Sequence, residues 1–108
     1  MTRRGLGGFR QRLAAEAPVD ARDAAGGAQR SFVAQFDLWA RIEPISALPQ
    51  FLASRDEATM THRITIRAGL AVGPGWRLRK GARIFEILAA PQDDAGSGFV
   101  ACRCREIG

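Results

Sequence analysis

The chain has 108 residues, 46% of them hydrophobic and 25% charged, and carries a net charge of +5. That is the size and composition of one globular domain, and no stretch is apolar and long enough to cross a bilayer as a helix. The basic balance favours acidic proteins or nucleic acid as partners, or reflects scattered solvated arginines, since no run of five or six like charges occurs.

Residues 1–8 are rich in Gly and Arg and read as a flexible N-terminal arm ahead of a single domain over residues 9–108. Positive charge opens the chain, but Arg10 and Arg12 interrupt the apolar run that an export signal needs, which predicts a cytoplasmic protein. Residues 9–17 alternate, with Phe9, Gln11, Leu13 and Ala15 on one face, and predict a first strand ended by Pro18. Residues 19–30, with Asp, Ala and the pair Gly26-Gly27, read as a hairpin loop in which the glycines admit positive φ.

A second strand is predicted from near Gln29 to about Pro44, with a bulge near Phe36-Asp37. Within it Leu38, Ala40 and Ile42 share one face, and Trp39 with Arg41 the other. Residues 47–58 break the β pattern. Leu48, Phe51, Leu52 and Arg55 recur at spacings of three and four, which fits a short helix or helical loop across one end of a barrel.

Residues 60–68 alternate strictly, with Met60, His62, Ile64 and Ile66 against Thr61, Arg63, Thr65 and Arg67. A turn at Gly73-Pro74-Gly75 leads to a strand at 76–80, and Gly81 makes a tight turn. The next strand, 82–90, is hydrophobic on both sides, as a central or interface strand would be. An acidic glycine turn over 91–98 precedes the last strand, 99–107. About six short strands with one short helix or long loop between them predict a mainly β fold, a small β-barrel.

No constellation for catalysis, cofactor binding or metal binding emerges. His62 is the single histidine and sits on the apolar face of a regular strand, where a partly buried structural histidine is the simpler reading. Cys102 and Cys104 are two apart, so on a strand they share a face as buried thiols and diverge too much for a mutual disulfide. Arg63 and Arg67 alternate outward on one predicted strand, Arg77 and Arg79 on another. If those strands pair, a basic stripe forms that suits a phosphate backbone or the acidic side chains of a neighbouring subunit.

Five blocks together resemble the phage head–tail joining family, the small head-completion or stopper proteins. They are Gly8-Phe9-Arg10-Gln11-Arg12-Leu13, Asp23-Ala24-Ala25-Gly26-Gly27, Leu38-Trp39-Ala40-Arg41-Ile42-Glu43-Pro44-Ile45-Ser46, the segment 58–67 around Thr61-His62-Arg63-Ile64, and Gly81-Ala82-Arg83-Ile84-Phe85-Glu86-Ile87. The uncharged Ala47-Leu48-Pro49-Gln50 departs from the family pattern. The resemblance implies a non-enzymatic structural subunit whose copies form a ring, hexameric at this level. That ring would lie between portal or adaptor proteins and a tail terminator or tail tube protein, join head to tail and help retain packaged double-stranded DNA. Such subunits are made in the host bacterial cytoplasm and end in a phage or gene transfer agent particle. On this reading Arg10, Arg12, Arg22, Arg63, Arg67, Arg77 and Arg79 are candidate contacts to subunits, partners or DNA, and Trp39, Ile64, Ile66 and Phe85 are framework. The N-terminal arm and the 19–30 loop are candidate docking arms. The alternative is a non-catalytic basic β-barrel that binds nucleic acid.

Overall fold

The computed structural model describes residues 10–22, 26–45, 60–93 and 96–108. The arm expected at residues 1–8 and the helical segment expected at 47–58 lie outside them. Seven strands form one antiparallel sheet: β1 (Gln11–Arg22), β2 (Ala28–Pro44), β3 (His62–Arg67), β4 (Arg77–Lys80), β5 (Arg83–Ile87), β6 (Gln92–Asp93) and β7 (Phe99–Glu106). The order is β3-β2-β1-β4-β5-β7-β6, and β3 also pairs with β7. Six strands therefore close into a barrel-like ring, and β6 is a short flap on β7.

Inward residues fill the ring. Leu13, Ala15, Ala40, Ile64, Ile66, Leu78, Phe85, Cys102 and Cys104 are fully buried, with Leu38 and Ile87 nearly so. This is the period-two alternation read from the sequence, now closed on itself so that every strand shares one interior. The two-sided hydrophobicity of the 82–90 segment resolves differently. Phe85 and Ile87 point in, whereas Ile84 is only partly buried, and its backbone exchanges hydrogen bonds with the chain end, Ile107 N–H to Ile84 O at 2.8 Å and Ile84 N–H to Gly108 O at 3.2 Å. Gly81, at φ +59, turns β4 into β5 as expected.

Two expectations are corrected at β1 and β2. The first strand does not end at Pro18: it runs to Arg22, and Pro18 pairs with Phe32. Pairing to β4 stops at Glu16 and Arg77, so beyond that point one edge of β1 is open and a proline's missing N–H breaks no ladder on that side. Most of the expected 19–30 loop is therefore strand, and Gly26, at φ +86, lies at the hairpin end. The register jumps from Ala15–Phe36 to Glu16–Ala34 and leaves Gln35 without a partner. This bulge lies one residue before the predicted place.

The expected pairing of the two arginine-bearing strands does not occur. β3 is flanked by β2 and β7, and β4 by β1 and β5, which puts them across the ring from one another. Local alternation sets which way each side chain points, but strand order comes from long-range closure, so it carried no signal in a local reading.

Candidate docking surfaces

The ring has two unlike ends. At one lie the start of β1, the end of β2, the start of β3, the end of β7 and the Gly81 turn. At the other, β1 and β2 leave the ring and continue as a two-stranded arm of about six residues per strand, close to 20 Å at the usual rise.

Because β1 keeps strict alternation, Ala17, Val19 and Ala21 continue the side that carries Leu13 and Ala15 in the core. Their partners across the arm are Val33, Ser31 and Gln29. The Gln35 bulge lets Phe36, partly buried against the core, and Val33, three residues away, both sit on that inner side. Beyond the rim this face is largely exposed: Val19 is 41% and Val33 47% exposed, while Ala17, nearest the ring, is half-buried. The opposite face is tied down. The Arg77 guanidinium lies 3.7 Å over the Phe32 ring, Arg30 and Asp20 form an ion pair at 2.8 Å, and Glu16 accepts from Arg79 Nε at 2.9 Å. Glu16 is only 8% exposed although it faces outward, and its second oxygen has no partner among the described residues.

Trp39, expected as framework, stands outward on β2 instead, 56% exposed, next to Arg12 across the strand pair. Leu38 and Ala40 take the two inward places, so alternation forces the indole out. Ile64, Ile66 and Phe85 are core residues. The seven arginines do not form one surface. Arg12 pairs with Asp37 at 2.9 Å, Arg63 with Glu43 at 3.0 Å, Arg79 with Glu16, and Arg77 rests on Phe32. Arg10 at the start of β1, Arg22 at the far end of the arm and Arg67 at the end of β3 have no ion-pair partner among the described residues, and they lie in three separate places.

The histidine belongs to a structural knot at the ring end opposite the arm. Its ring meets Phe85 edge-on at 5.1 Å, and Nδ1 lies 2.9 Å from Thr61 Oγ1. That hydroxyl oxygen accepts the Glu106 backbone N–H at 2.7 Å, and the other ring nitrogen, Nε2, lies 3.9 Å from Glu106 Oε1. Burial pulls the His62 pKa below its ordinary value, against an opposing pull from Glu106. Arg83 holds the Glu106 carboxyl below the usual range through a 2.8 Å hydrogen bond. The two thiols point into the core, as their spacing predicted. Burial pushes Cys102 up to about 12 and Cys104 further still, so neither is a ready nucleophile. Among the described residues no group of three or more His, Cys, Asp or Glu could hold a metal ion.

Sequence reasoning missed Val19 and Val33 as surface residues. The only trace was that two β-branched residues flank a stretch otherwise read as loop.

A Shigella flexneri 2a protein known from its solution structure has the same fold, with a TM-score of 0.74, 24% identity, and 94% of this chain and 95% of that one covered. A chain from the virion of a native gene transfer agent particle is similar with a TM-score of 0.63 and 28% identity, over 92% of this chain and 96% of that one. No curated protein sequence matches. The family model described as phage head completion protein matches residues 6–107, nearly the whole chain, and the protein therefore belongs to the phage head completion protein family.

Proposed function

We propose that this chain is a head–tail connector, or stopper, subunit of a phage or gene transfer agent particle. Its copies form a ring, hexameric in the simplest case, between the portal or adaptor proteins and the tail. The ring helps retain packaged DNA and gives the tail a place to join. Residues 9–108 serve as the single domain and residues 1–8 as an arm that orders on assembly. The subunit is made in the host bacterial cytoplasm and carried into the particle.

The observation that carries this reading is the family match over residues 6–107, and the likeness to a chain of a gene transfer agent virion supports it. The arm adds physical support. A two-stranded ribbon with an open apolar face has little stability alone and gains it from a partner. The nucleic-acid alternative loses weight, because Arg12, Arg63 and Arg79 are taken up by Asp37, Glu43 and Glu16, and β3 and β4 lie on opposite sides of the ring.

Imaging of particles that contain the protein tests the proposal. A ring of this chain at the junction of head and tail is expected. Finding the chain elsewhere in the particle, or as single copies at the junction, sinks it. Steeply salt-dependent DNA binding by free protein, with no ring in particles, would favour the alternative.

A further inference from the structure

Two exposed hydrophobic sites on this chain differ in shape and face opposite ways. The inner face of the arm is a ledge of small and branched side chains: Ala17, Val19, Ala21, Ser31 and Val33, with Gln29 at its end. It carries no charge, because Asp20, Arg22 and Arg30 fall on the other face. The second site is the single indole of Trp39, projecting from the outer wall of the ring. Both lie on β2, but one faces the interior side of the sheet and the other its exterior, so they cannot meet within one copy.

We propose that the arm's inner face seats Trp39 of a second copy of this chain. The proposal rests on the ring reading above and names the surfaces that would make the ring. Three features select this occupant. The ledge has no cation, so a phosphate backbone finds nothing there to bind, whereas an aromatic side chain finds apolar area. A buried indole needs an acceptor for its N–H, and Gln29 and Ser31 supply one on the same face. Finally, the two patches are different surfaces of the same chain. Joining them is a head-to-tail contact, which repeats from copy to copy and ends only by closing on itself. Arms and walls then alternate around the assembly, and each copy gives one of each.

The test is a chain carrying both V33C and W39C, assembled into particles and treated with a short thiol-to-thiol cross-linker. A linker is needed because the indole that is replaced holds the two backbones further apart than a disulfide spans. Cys102 and Cys104 are fully buried and do not compete. A ladder of covalent multiples of this chain is expected, absent when either substitution is present alone. A ring visible at the junction with only monomers on the gel overturns the arm proposal and leaves the ring reading standing. Linkage to a chain of different mass overturns it in favour of another particle protein. Particles of the unsubstituted chain without any ring of this chain overturn both. As a second measurement, V33D should leave the free protein folded by circular dichroism and cut its incorporation into particles roughly tenfold or more, as loss of an apolar contact at the centre of an interface does. Unchanged incorporation overturns the proposal.

Discussion

The ring and the arm are made from the same two strands, β1 and β2, yet they hold together for different reasons. Inside the ring each strand is paired on both edges, and its inward side chains meet those of five others; Leu13, Ala15 and Ala40 are fully buried there. A few residues on, Val19 and Val33 occupy the same side of the same sheet and stand 41% and 47% exposed, with Ala17 half-buried between them and the core. The β1–β2 ladder runs on past the Gln35 bulge, but in the arm each strand keeps only that one partner and its other edge is open. What also differs is whether a second layer exists. A strand pattern fixes which face is apolar, and closure decides whether that face becomes core or surface.

Hydrogen exchange offers the largest contrast. Amides of β3, β5 and β7 should exchange roughly 10⁴-fold or more slowly than those of the arm in the free protein, since the former open only with the whole fold. Equal protection in both regions would mean the arm is part of the cooperative unit and would break the comparison. Phe85→Ala should cost about 3–5 kcal/mol in urea unfolding, because the ring is fully buried and leaves a cavity against His62. Gly26→Ala should cost about 1–2 kcal/mol, felt in the arm and not in the core, because its φ of +86 disfavours a Cβ even though no atom lies near enough to clash. Val33→Ser, by contrast, should change the free protein's stability by less than about 0.5 kcal/mol. A larger loss would show that the arm packs on the ring in solution.

The smallest effect concerns pH. His62 has its folded pKa lowered from 6.5, so the unfolded chain binds its proton more readily. Its contribution is whole above pH 6.5 and declines as the pH falls below that value. Glu106, lowered from 4.5, adds stability that is also lost further into acid. His62→Gln should therefore flatten the fall in thermal midpoint just below pH 6.5 and leave the more acidic limb in place. An unaltered profile would show that the knot at that end does not feel the imidazole charge.

Most of the ring was legible in the sequence because its strands alternate cleanly. The segment holding Ile64 and Ile66 reads as a strand with no tertiary information, and so does the inward pair Cys102 and Cys104. The arm was not legible, for two local reasons: Pro18 looks like a stop, and Asp, Ala and Gly between residues 19 and 30 look like a loop. Both signals are weak propensities, and cross-strand pairing from Ala28 to Ala34 overrode them. The alternation around Trp39 was legible too: Leu38 and Ala40 take the inward positions and the indole stands on the opposite face. The arginine stripe failed on topology, since nearness in sequence between β3 and β4 says nothing about nearness around a closed sheet.

The unpaired Gln35 has a geometric consequence. A bulge bends its strand and sharpens its twist, and this one sits where the arm departs from the ring. It therefore sets the angle between the arm's ledge and the wall that carries Trp39. In any assembly that repeats one contact between those two surfaces, that angle is the turn made per copy, and it decides how many copies close a circle. Deleting Gln35 would restore an unbroken ladder, keep every pairing on either side of it, and change that number.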